Sequence, residues 1–152
     1  MLEIDAQATA CYEQFVDFTN RGYNIVYVDE VMFTRRTMFT HCYSPKNEPF
    51  EYDFSQCDNR TVAVIAAISY FRGVEMVSVH PRSVNVRKFL AFLDDLRSQH
   101  FADDIAIFMD RLSVHRSRLV QQRMQELSIG CIFNASYSPN NNPIENVFGV
   151  SK

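Results

Sequence analysis

An α/β domain, with a mixed sheet and helices packed on it, is the fold class this sequence predicts. Three observations carry that reading. Strand-like runs follow one another in the first half of the chain, as in a meander, and strands and helices then alternate. Nothing in the 152 residues marks an internal repeat, a low-complexity tract or an interdomain linker. A chain of that length suits a single domain over residues 1–152, large enough to bury roughly 70% of its unfolded surface.

The elements follow in order. Ala10, Cys11, Phe15 and Phe18 recur at near-helical intervals over about residues 6–20, and Gly22 is placed to end that helix. NIVYV at 24–28 is continuously apolar and β-branched, as a strand buried on both faces would be, and Asp29 and Glu30 come directly after it. MFTHCY at 38–43 reads as a second, more exposed strand. The polar stretch 44–60, with two prolines and no period, reads as a long functional or mobile loop. VAVIAAISYF at 62–71 and VEMVSV at 74–79 are strands joined through Gly73, and Pro81 stops the second. Val86, Phe89, Leu90, Leu93 and Leu96 mark one face of a helix over about 83–99. IAIFM at 105–109 is a short apolar strand ending in Asp110. Ser117 is a candidate cap for a helix with Leu119, Val120, Met124 and Leu127 inward and Gly130 at its end. CIFNA at 131–135 is the last strand.

A net charge of −3 and a pI near 5.8 exclude a general basic coat for nucleic acid, though a local patch remains compatible with them. Cys11, Cys42, Cys57 and Cys131 are scattered, without a CxxC pair or zinc-finger histidine spacing, and read as reduced thiols of an intracellular protein. The start MLEIDAQATA has neither a basic nor an apolar signal region, and no apolar run reaches the roughly 20 residues needed to span a bilayer.

The last stretch, YSPNNNPIENVFGVSK at 137–152, combines a loop, a helix start and a carboxylate. Asn142 fits the N-cap position and Pro143 the first helical position, where its missing N–H costs nothing. Ile144, Val147 and Phe148 supply a face to bury. Glu145 then falls in the first turn, where the helix dipole favours negative charge. Asp29 and Asp110 each close an apolar strand-like run, at the kind of strand end where α/β sheets gather ligands. Singly, such an Asp reads as a turn-former or cap. If the two strands are parallel neighbours, the carboxylates come together and a bound cation relieves their repulsion. Oxygen-only donors suit Mg²⁺ or Mn²⁺, and a pair of such ions suits phosphodiester chemistry.

VYVDE at 26–30, MDRLSVH at 109–115 and YSPNNNPIENVF at 137–148 together resemble the catalytic core of mariner-superfamily DDE transposases. The third motif is the most specific, and the resemblance covers about residues 12–152. It implies an RNase H-like, five-stranded mixed sheet with the strands of Asp29 and Asp110 side by side. It also implies Asp29, Asp110 and Glu145 as catalytic and metal-binding residues, with Mg²⁺ (or Mn²⁺) as cofactor, two ions being expected. The 34 residues between Asp110 and Glu145 match the family's interval. DNA, as transposon ends and target, is the implied partner, in a complete protein that is a homodimer. The implied compartment is the nucleus in a eukaryote or the cytoplasm in a bacterium.

His115 matches a family position and reads as a DNA contact or a neighbour of the site, or equally as a plain helix-start histidine. Arg111 stands where relatives commonly have Asn, and with Arg116 it is a candidate phosphate contact. Tyr137 and Ser138 either touch a phosphate or shape the loop. Asn142, Pro143 and Asn146 read as the scaffold that aims Glu145, while Glu30 should point away from Asp29 and is left out of the triad. No N-terminal helix-turn-helix is visible and relatives continue past this chain's last helix, so a catalytic core alone is expected. The leading function is a metal-dependent DNA endonuclease and strand-transfer core; the alternatives are a catalytically weak or inactive remnant that binds DNA or protein, and an unrelated metal phosphohydrolase.

Overall fold

The computed structural model describes residues 2–34, 61–136, 138 and 141–150. The expected strand at 38–43, the loop at 44–60 and Tyr137 lie outside them, as do Cys42 and Cys57. The elements are α1 (Leu2–Asn20), β1 (Asn24–Phe33), β2 (Val62–Ser69), β3 (Gly73–Pro81), α2 (Val86–Gln99), β4 (Ile105–Met109), α3 (Arg118–Glu126), β5 (Gly130–Phe133) and α4 (Ile144–Val150). The strands form one mixed sheet in the order β3-β2-β1-β4-β5. The β1–β2 and β2–β3 pairs are antiparallel, while β1–β4 and β4–β5 are parallel. The expected α/β fold is the observed one.

Alternation along β1 sorts the helices onto two faces. Val26 and Val28 pack with Phe89, Leu93 and Leu96 of α2 and with Val120 and Met124 of α3. Tyr27 turns the other way, toward Cys11 and Phe15 of α1, and Val31 packs with Ile144 and Phe148 of α4. All five residues of β4 are buried, which accounts for its unbroken apolar run.

Local signals explain most boundaries. Gly22, at φ +81°, ends α1 in a Schellman arrangement, with Tyr23 N donating to Phe18 O and Gly22 N to Thr19 O, both at 3.0 Å. Asn85 caps α2 by accepting from Lys88 N at 3.0 Å, and Ser117 caps α3 by accepting from Val120 N. Two expectations need correcting. Gly130 does not terminate α3: Ser128 takes the left-handed turn (φ 55°), and Gly130 opens β5. Its missing side chain matters there, because a Cβ would lie 2.5 Å from Phe18 Cε1 and 2.8 Å from Ala106 Cβ. Leu119, expected inside, is exposed, and α3 buries Val120 and Met124.

At the sheet end that carries the start of β1, the buried side chains of Glu75 and His100 are hydrogen-bonded to each other. Asn24 Nδ2 donates to Glu75 at 3.3 Å, and Asp103 joins His100 Nδ1 to Arg72. This network seals the pole opposite the expected site. Among the described residues Cys11 and Cys131 are free thiols, and no helix is long and apolar enough to cross a membrane.

Candidate active site

β1 does not stop at Asp29 but runs on to Phe33, because its second half pairs with β2, Asp29 opposite Ala66. The parallel ladder with β4 ends earlier, at Tyr27 opposite Phe108. Carried two residues further, that register sets Asp29 opposite Asp110, just where β4 finishes. Asp29 therefore leaves the sheet surface mid-strand, and Asp110 leaves from a strand end. Glu145 arrives from the first turn of α4, whose Ile144 and Phe148 anchor it on Val31 and Ala66. Asn142 holds the start of this helix: its Oδ1 accepts from Ile144 N at 3.4 Å and its carbonyl from Glu145 N at 3.2 Å. The capping expected of Asn142 is present.

Asp29, Asp110 and Glu145 line one cavity of about 630 Å³, together with Glu30, Arg111, Leu112, the 134–136 stretch, Ser138 and Asn142. Asp29 is 8% exposed, and burial pushes its carboxyl up to about 6 despite a 2.8 Å hydrogen bond from Glu30 N. The neighbouring charges of Asp110 and Glu145 push in the same direction. Among the described residues no Lys or Arg forms an ion pair with any of the three acids. Nor do three His, Cys, Asp or Glu side chains among them converge tightly enough to grip one ion as they stand.

His115 is not a surface residue. It is fully buried behind Asp110, its ring 4.6 Å from that of Phe89. Its Nδ1 lies 2.7 Å from Asp110 Oδ1 and its Nε2 lies 3.3 Å from Glu30 Oε1. Burial alone would lower its pKa, but the hydrogen bonds to Asp110 and Glu30 outweigh that and raise it to about 9. The structure thus makes it a buried neighbour of Asp110 rather than an exposed helix-start histidine. Glu30 does point away from Asp29, as expected, yet it reaches the site's rear through His115. The signal that could have found this is an acid on a strand face otherwise filled by Val26 and Val28, which requires a buried partner.

Arg111 reaches the cavity, where Nε donates to Asn134 O at 3.0 Å and its guanidinium lies over the Phe133 ring. Ser138 also lines the cavity, its carbonyl accepting from Asn134 Nδ2 at 2.7 Å. Asn134, which the sequence did not single out, thus ties β5, Arg111 and the loop together. Gln7 of α1 clamps the same loop by accepting from Ser136 N and Oγ. Arg116 is exposed and lies outside the cavity lining. Arg123 pairs with Asp94 and Glu126, and Lys88 holds the carbonyls of Pro81 and Ser83, so both are structural cations.

A mixed sheet in this order, flanked by helices, with acids from β1, from the end of β4 and from a late helix in one cavity, defines an RNase H-like domain. Residues 24–152 match the family described as DDE superfamily endonuclease, and the chain belongs to that family. No curated protein sequence matches it. Among solved structures, the Mos1 transposase paired-end complex with left transposon end is 16% identical, with a TM-score of 0.72 over 99% of this chain and 48% of the other. The Mos1 mariner paired-end complex with Mn gives 15% and 0.71, over 99% and 49%. The catalytic domain of Mos1 mariner transposase gives 15% and 0.65, over 97% and 68%. These likenesses establish the fold. The chain spans about half the length of the complete transposase chains it resembles.

Proposed function

We propose that this chain is the catalytic core of a divalent-metal-dependent DNA transposase of the mariner type. In this reading it cuts DNA at transposon ends and joins the freed 3′-hydroxyl to target DNA. The observation that carries the proposal is the placement of Asp29, Asp110 and Glu145 around one cavity, with Arg111 at its border and no Lys or Arg ion-paired to any of the three among the described residues. Carboxylates buried or crowded together are costly as anions; His115 relieves part of that cost at Asp110, and a hard cation offsets the rest. The donors are all carboxylate oxygens, which fits Mg²⁺ or Mn²⁺.

Asp29 and Asp110 would hold the metal, with Glu145 completing the set. Each aspartate is held by one oxygen: Asp29 Oδ1 accepts from Glu30 N, and Asp110 Oδ1 from Leu112 N and His115. Among the described residues the two Oδ2 atoms accept no hydrogen bond, which leaves one oxygen of each for a ligand. When bound, a pair of divalent ions supplies an activated attacking oxygen and stabilises the leaving one. In hydrolysis, water adds to phosphorus, the bond to the 3′-oxygen breaks, and a 3′-hydroxyl and a 5′-phosphate result. In strand transfer that 3′-hydroxyl is the nucleophile, and one phosphodiester replaces another. Arg111 and Ser138 border the cavity at positions suited to phosphate contact. The complete protein would act on DNA as a homodimer.

A second reading, a non-catalytic module retaining the fold and DNA or protein contacts, draws on two observations. The three acids do not converge on one point, and Arg111 occupies the position after Asp110. Nicking of supercoiled plasmid in Mn²⁺ separates the two, since it requires no particular sequence. The enzyme reading expects nicks bearing 3′-hydroxyl ends, lost in Asp29→Asn, Asp110→Asn and Glu145→Gln. Nicking unchanged by those substitutions, or none by folded wild type, would favour the second.

A further inference from the structure

We propose that Glu30 is a positioning residue for Asp110, acting through His115 across the sheet. The proposal rests on the metal-site reading above and adds a residue to it. Three contacts build the path. Glu30 and Asp29 are neighbours on β1 and so project to opposite faces. On its face, Glu30 Oε1 meets His115 Nε2 at 3.3 Å, and its side chain is only 16% exposed. His115 in turn meets Asp110 Oδ1 through Nδ1 at 2.7 Å.

A histidine with a carboxylate oxygen at each ring nitrogen donates to both. The ring cannot swing away, because Phe89 packs on it and Gln121 Nε2 donates to the His115 carbonyl at 2.9 Å. Asp110 itself is on a strand's trailing end with a side chain 39% exposed, so packing does not fix its rotation. Two donors to Oδ1, Leu112 N and His115 Nδ1, do fix it and present Oδ2 to the cavity. One strand therefore serves both aspartates: it carries Asp29 directly and orients Asp110 through Glu30 and His115. Outer partners of this kind set the direction of a ligand without touching the ion.

The test is Mn²⁺ affinity measured by calorimetry on the whole chain, with thermal unfolding as a check that each variant folds. Glu30→Ala should weaken binding by about 10-fold or more, the range typical of outer-partner substitutions. Glu30→Gln should recover most of it, because its amide oxygen still accepts from Nε2–H. In a His115→Ala background, Glu30→Ala should cost nothing further, since the path is already cut. Multiplying losses in the double variant would make Glu30 a direct ligand and overturn the proposal. So would wild-type affinity in Glu30→Ala, or a Gln variant no better than Ala. If His115→Ala fails to fold, the comparison of Ala with Gln at position 30 decides alone. Loss of binding in Asp110→Asn with no effect at Glu30 would overturn this inference and leave the metal site standing. No binding by folded wild type would overturn both.

Discussion

Glu30 donates its backbone N–H to Asp29 Oδ1 at 2.8 Å, while its own side chain lies on the other face of the sheet. That bond lowers the cost of a buried Asp29 anion without cancelling it, and the carboxyl stays raised to about 6. A raised acid favours the folded state only while protonated. Metal-free stability should therefore fall as pH rises from about 4 to about 6, by on the order of 3 kcal/mol. Urea unfolding in chelator should show this slope, and Asp29→Asn should flatten it. Saturating Mn²⁺ should restore stability above pH 6 far more than at pH 4.5.

His115 produces a second window. Its folded pKa is raised from 6.5 to about 9. Its stabilising contribution is complete below 6.5 and lost as pH climbs through 9, again on the order of 3 kcal/mol. Unfolding midpoints between pH 6 and 9 should fall in wild type and fall markedly less in His115→Gln.

Gly130 is required by a close approach. With Phe18 Cε1 2.5 Å and Ala106 Cβ 2.8 Å from a Cβ placed there, Gly130→Ala must push the Phe18 ring aside and crowd Ala106. The expected loss is about 1–3 kcal/mol, as for overpacked cores, measured by urea denaturation. A neutral substitution would mean that the α1 contact is loose.

At the opposite pole, His100→Leu would leave Glu75, whose side chain is 1% exposed, with Asn24 but without its buried imidazole partner. Removing one hydrogen-bond partner of a buried polar group typically costs about 1–3 kcal/mol. Thermal unfolding should register it, while Mn²⁺ affinity at the distant acids should be unchanged in the folded fraction.

The sequence was most legible where one physical signal acted alone. Apolar runs marked β2, β3 and β4, and Ser117 and Gly22 marked helix ends. The apolar run of β1 is interrupted by Asp29 and Glu30, and only pairing with β2 carries the strand to Phe33. Gly130 resembles a helix cap in sequence, whereas its reason is Phe18, over 100 residues earlier. Leu119 shows the same limit, since one step of helix phase separates it from buried Val120. The three acids could be singled out one by one, but their meeting depends on the parallel β1–β4 register. Nothing local marks Glu30, because its partner His115 is 85 residues away.

The most direct test of the proposed metal site is a Mn²⁺ titration of the purified chain by calorimetry, beside Asp29→Asn, Asp110→Asn and Glu145→Gln. Saturable binding that weakens in all three variants is the expected result. Absence of binding by a folded wild-type chain, or binding indifferent to the three substitutions, would contradict it.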